Sequence, residues 1–238
     1  MPIDPTAALP PDTPLSKLPN FDPREVPVVG IDTHLPSVDP SRFAPEALRA
    51  RFAHPPAWQP ELQSEKRFTN RQPAEASVLV PVVMREQPAI LLTQRTAHLT
   101  THQGQVAFPG GKRDDTDIDA ADTALREAEE EIGLERSLAE VIGTMPTYTT
   151  GTMFTITPVV ALVQPDYRLV LNDYEVAAAF EVPLAFLMDP KHHRRHAIEL
   201  GGVKREWFSM PYTDADQERF IWGATAAMLR NLYRFLAA

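Results

Sequence analysis

Between Gly110 and Leu134 the chain reads GGKRDDTDIDAADTALREAEEEIGL: a glycine pair, an acidic loop, and an alanine-rich helix that stops at Gly133. No other stretch restricts the fold as tightly. At about 100° per residue, Ala121, Ala124, Leu125, Ala128 and Ile132 share one narrow stripe, the face that packs inward. Glu130, Glu127 and Glu131 fall about 180°, 240° and 280° round from Ala121, so they share one flank outside the stripe; Glu129, near about 80°, does not. Like charges four residues apart, as at Glu127 and Glu131, weaken an isolated helix by roughly 0.2–0.5 kcal/mol, so a sequence that stacks them calls for a cation. Hard oxygen ligands on one face suit Mg²⁺ or Mn²⁺. Arg126, four residues before Glu130, is placed to hold that carboxylate. Asp117 or Asp119 can cap the helix start, and Gly133 suits its C-terminal end.

An acidic run is ordinarily a solvated helix face, and two patterns compete for these acids. Asp115, Asp117 and Asp119 alternate like the start of an EF-hand loop, but Ala120 stands at the sixth position and Arg126 at the twelfth, where Gly and Glu are required. The other pattern fits. The segment from Arg126 to Leu134, REAEEEIGL, closely resembles the second half of the Nudix box, G-x5-E-x7-R-E-U-x-E-E-x-G-U, in which U is aliphatic. The first half departs: one extra residue lies between Gly111 and Arg126, and the nearest acid to the box's leading Glu is Asp117.

Upstream, Leu91-Leu92-Thr93-Gln94-Arg95 and then Gly104-x3-Phe108-Pro109-Gly110-Gly111 resemble the signature of the coenzyme A pyrophosphatase branch of that family. Thr96 replaces its Ser or Ala, and Thr100 replaces an arginine, leaving His98, His102, Lys112 and Arg113 as nearby cations. The Ile221–Ala226 stretch is similar to that branch's C-terminal helix, so the likeness spans about residues 76–232. The resemblance implies an α/β fold, a Nudix-type α/β/α sandwich with a mixed sheet, an N-terminal Pro-rich arm and a C-terminal helix. It also implies metal-dependent hydrolysis of coenzyme A or acyl-CoA to 3′,5′-ADP and an (acyl) 4′-phosphopantetheine. ADP-ribose or another nucleoside diphosphate derivative is the alternative substrate, and an inactive binding or regulatory protein the alternative of another class.

On this reading Glu127 and Glu131 hold Mg²⁺ or Mn²⁺ directly, with Glu130 a third ligand, direct or through water. The backbone of Gly110 and Gly111 approaches phosphate, while Arg95, Lys112 and Arg113 supply positive charge. The general base comes from the box helix or from Glu175 on a later loop. Tyr148, Phe154 and Trp207 are candidates to stack on adenine, each set against an ordinary packing role. The basic run 191–196 reads as a solvated loop, or else one that folds over to meet a phosphate.

The rest of the chain frames this centre. Its 238 residues suffice for one sizeable core. A net charge of −9 argues against nucleic acid or an anionic membrane as partner, and the absence of cysteine excludes disulfides and thiolate chemistry. MPIDPTAALPPDTPL has neither a basic start nor an apolar core, so no signal peptide and a cytoplasmic location are expected. Residues 1–73 read as a Pro-rich arm with a short helix from Pro45 to Phe52 and a polar linker at 59–73. That arm either wraps the domain or a partner subunit through Val28, Val29 and Ile31, compatible with a homodimer, or is disordered. Residues 74–238 form the catalytic domain. A hairpin joins residues 77–84 and 89–95, with Pro81 at an edge or bulge. Strands are expected at 105–108, 138–143 and 154–163, strands or turns at 168–171 and 176–182, a short helix at 183–187, and one long helix from Asp216 to Leu236.

Overall fold

The computed structural model describes residues 21–67, 69, 72–98, 103–200 and 202–238. Its organising layer is a mixed sheet. β2 (Ala74–Val83) runs parallel to β8 (Phe154–Val163) and antiparallel to β3 (Ala89–Arg95), while β4 (Val106–Ala107), β5 (Gly110–Lys112), β6 (Ala139–Thr144), β7 (Tyr148–Thr149) and β9 (Val176–Pro183) complete it. Side chains alternate across a strand, and here both faces are buried. Leu79, Val83, Leu91, Val159, Ala161 and Val163 pack against the helix α2 (Ala120–Ile132). Val80, Val82, Ile90, Leu92, Val160 and Leu162 point the other way, into a core shared with the short helix α3 (Leu184–Leu187) and the C-terminal helix α4 (Gly223–Ala237). A sheet between helices, the expected α/β arrangement, follows from that two-sided apolar pattern.

A second sheet adjoins α4: β1 (Val28–Ile31), β10 (Arg194–Leu200), β11 (Val203–Asp214) and β12 (Gln217–Trp222), all antiparallel in that order. Here the sequence reading needs correction. The run 191–196 is not a loop but enters β10, and residues 217–222 are strand, the helix starting only at Gly223. Phe220 and Ile221 happen to continue the helical spacing of Thr225 and Met228, which masks the boundary. The charges that disguised β10 are consumed by partners: Arg195 by Asp32 and Glu61, and His196 by Ser209 and the carbonyl of Val26.

Pro81 lies in a central strand rather than at an edge. Leu79 N donates to Pro109 O on the β5 side, so by alternation the nitrogen of Pro81 faces the gap between the Val78–Gly110 and Val82–Ile90 pairs, where no ladder bond is lost. Residues 168–171 are extended but join no strand, because their partner is the end of α2: Val170 N donates to Ile132 O.

The segment ahead of β2 packs onto the body. α1 (Pro45–Ala53) covers β6, Phe52 and Trp58 meet Phe235 at 4.8 and 5.1 Å, and Tyr233 Oη donates to Pro36 O at 2.8 Å. The polar stretch 59–73 contributes Glu61 to an ion network and Glu65 to Tyr148 Oη and Gly151 N, so its polarity serves buried partners as well as solvent. Residues 1–20, with six of the arm's fifteen prolines, fall outside the described residues. Among the described residues no helix is long and apolar enough to cross a membrane.

Candidate active site

The helix α2 forms where the local chemistry specifies. Asp119 Oδ1 accepts from Asp122 N at 2.8 Å at its start, and Gly133, left-handed at φ 67°, closes its end with its N–H on Glu129 O. Ala124, Ala128 and Ile132 are buried against the sheet. Small side chains let the helix sit close to β5, and this closeness builds the site. Gly110 N donates to Glu131 Oε2 at 3.1 Å, and a Cβ at Gly111 would lie 2.5 Å from Glu127 Oε2.

Glu131 is only 5 % exposed. Burial raises its carboxyl to about 7, against the opposing Gly110 bond and Arg95, while the charges of Glu127 and Glu175 push it further up. Glu127 is raised too, mainly by burial and against the pull of Arg126. Arg95, at the end of β3, faces Glu131 with Nη1 3.8 Å from Oε1, and its Nε is buried without a hydrogen-bond partner. More negative charge than positive is therefore held out of water here, a setting that suits an added cation.

Arg126 does hold Glu130, at 3.1 Å, but this is the lesser of its tasks. Its Nε and Nη2 grip the buried Asp117 at 2.8 and 3.0 Å, Nη2 also reaches Glu127 Oε1 at 3.0 Å, and the Lys112 carbonyl accepts at 3.2 Å. The guanidinium holds Asp117 far below the usual carboxylate range. Asp117 thus staples the acidic loop to the helix, a role that sequence reasoning missed although the acid stood closest to the box's leading Glu. Glu130 remains 59 % exposed on Arg126, unlike the half-buried Glu127 and the buried Glu131, and Glu129 pairs outward with Arg136.

Glu175 is drawn to the same end. Asn172 N donates to Glu131 O at 2.9 Å, Glu175 N to Asn172 O at 2.9 Å, and Thr96 N to Glu175 O at 3.0 Å, so its loop is tied to both α2 and β3. Lys112 is exposed at the rim, whereas Arg113 is engaged by Glu75 at 2.8 Å. Thr100 and His102 lie outside the described residues. Of the stacking candidates, Tyr148 is buried with its hydroxyl on Glu65, and Trp207 is buried beside His196, Phe21 and Trp222, so both serve packing. Phe154, half-buried, opens β8. The 191–196 run offers little to a phosphate: Lys191 pairs with Asp189, His192 stacks on Phe186, and His193 is buried on Leu187 O.

Among the described residues, no three acidic or histidine side chains form a ready-made metal cage. The donors that could hold a divalent cation are Glu127 and Glu131, with Glu175 near, leaving positions to water or substrate oxygens. The two glycines give a test of this layout. Gly111→Ala pushes against the free end of a glutamate, so the variant is expected to fold with near-native thermal stability while kcat falls roughly 10–100-fold as Glu127 moves. Gly110→Ala, at φ 155° and with the backbone of Ser77 and Val78 against the added Cβ, is expected not to fold. Equal activity of Gly111→Ala and wild type would show that the Glu127 position is unimportant.

A carboxylate helix stacked under a glycine pair on a mixed sheet is the centre of this site. Residues 73–200 match the NUDIX domain family. The chain is 44 % identical over 159 residues to the Nudix hydrolase NudL of Escherichia coli K12, covering 66 % of this chain and 80 % of the relative. It is 43 % identical over 167 residues to NudL of Shigella flexneri, covering 68 % and 84 %. The chain belongs to the Nudix hydrolase family. Among solved structures, a Caenorhabditis elegans Ap4A hydrolase binary complex aligns at 19 % identity and a TM-score of 0.40, over 50 % of this chain and 85 % of that one. The NUDIX domain of Shewanella oneidensis NrtR complexed with ADP ribose aligns at 21 % and 0.38, over 48 % and 75 %.

Proposed function

We propose that this chain hydrolyses the diphosphate bond of a nucleoside diphosphate derivative, with coenzyme A or an acyl-CoA as the substrate and Mg²⁺ or Mn²⁺ as cofactor. The observation that carries the reading is the pairing of the buried Glu131 with the half-buried Glu127 beneath Gly110 and Gly111, where excess negative charge and hard oxygen donors match a divalent cation. When bound, such an ion neutralises phosphate oxygens and acidifies water. Glu127 and Glu131 would hold it, with Glu130 contributing from the outer side. Arg126 positions these carboxylates through Asp117 and Lys112 O. Arg95 and Lys112 offset phosphate charge, and Glu175, whose loop is bonded to Glu131 O and to Thr96 N, is our candidate to accept a proton from the attacking water.

The coenzyme A assignment draws on the stretch from Leu91 to Gly111, whose two halves meet: Arg95 N donates to Gln105 O at 2.9 Å and Gln94 Nε2 to Gly104 O at 3.3 Å. ADP-ribose or another nucleoside diphosphate derivative is the second reading, favoured by Thr100 in the place of an arginine. A binding protein without turnover is opposed by the presence of Arg126 and all the box glutamates.

Mass-resolved hydrolysis of coenzyme A and ADP-ribose, each with Mg²⁺ and with Mn²⁺, separates these. Release of 3′,5′-ADP from coenzyme A, abolished by a chelator and by Glu127→Gln, is the expected result. Cleavage of ADP-ribose alone would transfer the assignment to the second reading, and no turnover of either would overturn the diphosphatase proposal for both.

A further inference from the structure

Among the described Phe, Trp and Tyr residues one ring stands out of the protein: Tyr174 is 69 % exposed, while the others are buried or half-buried. An exposed aromatic on a mobile surface loop would mean little. This one sits on a braced loop. Its own N–H donates to Asn172 Oδ1 at 3.2 Å, and its carbonyl accepts from the buried Thr96 Oγ1 at 2.9 Å. Asn172 N is bound to Glu131 O, and both Glu175 N and Val176 N donate to Asn172 O. The ring is further supported from one side by His98, with centroids 5.1 Å apart and planes at 57°.

The tethers fix its place. On one side the loop is bonded to the helix residue that carries the most deeply buried carboxylate, and on the other to Thr96, the neighbour of Arg95. Tyr174 therefore stands at the rim of the diphosphate site, one residue from Glu175, with an aromatic face held out to water. Exposing that area on a rigid support is unfavourable unless something planar covers it, and a nucleoside base is the planar part of the proposed substrate class.

We infer that Tyr174, backed by His98, is the stacking platform for the base of the nucleoside half of the substrate. It is a specificity residue in place of Tyr148 and Trp207, which are buried. The inference rests on the diphosphate-site reading above, and the test keeps the two apart.

Binding of ADP and of methylenediphosphonate, which has the charged groups without a base, is measured with Mg²⁺ on full-length protein by calorimetry. Tyr174→Ala is expected to weaken ADP about tenfold, within the range for loss of one base stack, and to leave methylenediphosphonate unchanged, while Tyr174→Phe keeps both affinities. Undiminished ADP affinity in Tyr174→Ala would overturn the stacking role. So would an equal loss of both probes, which marks a displaced loop. If the wild-type protein binds neither probe, the diphosphate-site reading itself fails, and the platform with it.

Discussion

In metal-free buffer at pH 8, Glu131→Gln is expected to be more stable than the wild-type protein, and with metal and substrate to turn over roughly 10²–10³-fold more slowly. Both halves have one cause. Glu131 is buried at the foot of Gly110 with Glu127 and Glu175 pressing on it, and its carboxyl titrates at about 7 in place of its usual 4.5. A carboxyl whose folded pKa is raised binds more protons folded than unfolded. Its contribution is therefore fully present below about pH 4.5 and is lost as pH rises through 7. Near pH 8 the ionised group destabilises the metal-free fold by roughly 2–3 kcal/mol, which a neutral glutamine of the same shape relieves. The same charge is what the site offers to a cation, so its removal costs activity. Urea melts from about pH 6 to pH 8 in a chelator should show stability falling with pH in the wild type and a flatter profile in the variant. A Glu131→Gln protein with the wild-type slope, or with wild-type kcat, would remove Glu131 from the centre of the site.

Arg230→Ala should lose about 3–5 kcal/mol of stability, the cost of breaking a buried ion pair from one side. Arg230 lies on α4 with 1 % exposure, between the rings of Phe208 and Tyr233. Its Nη2 meets Asp32 at 2.8 Å, its Nε donates to Glu61 at 2.7 Å, and its Nη1 donates to His193 Nδ1 at 3.1 Å, whose Nε2–H donates in turn to Leu187 O. Truncation leaves Asp32 to Arg195, and Glu61 to Arg195 and the more distant Arg234 at 3.7 Å. Burial holds His193 down at about 4, so the folded protein keeps it neutral, and the stability this represents fades as pH falls below about 6.5. His193 thus penalises acid while Glu131 penalises base, and the metal-free wild type should be most stable near about pH 6. Chemical denaturation of Arg230→Ala beside the wild type reads the effect; a loss under about 1 kcal/mol would mean that the network only fills space.

Much of the central helix α2 is legible in the sequence because its information is local. The alanine stripe follows from a repeat of 3.6 residues, the Gly133 stop from local backbone chemistry, and the structure takes Asp119 rather than Asp117 as the cap; of the three acids on the shared flank, Glu127 and Glu131 lie under the glycine pair and Glu130 stays exposed. Two apolar runs about a short turn likewise carry the hairpin, and the alternation of its strands appears in the structure: Leu91 and Arg95 face one side of β3, where Arg95 reaches Glu131, while Gln94 faces the other and meets Arg219. Where charged residues pair across strands, as Arg195 and His196 do, that alternation vanishes from the sequence, and β10 was read as a loop.

The sequence by itself determined which residues form the central helix, where it begins and ends, and which flank carries its acids, since neighbours a turn apart decide those matters. Only the tertiary structure decided what each acid does. Glu131 is buried because Gly110 lies 3.1 Å from it, Asp117 staples the loop because Arg126 turns towards it, and Glu175 joins the site because Thr96 and Asn172 tie down its loop. Those partners stand between nine and about eighty residues apart along the chain, and no local preference encodes a contact at that separation. Each forms only when a close-packed core brings the segments together and burial makes an unpaired polar group costly.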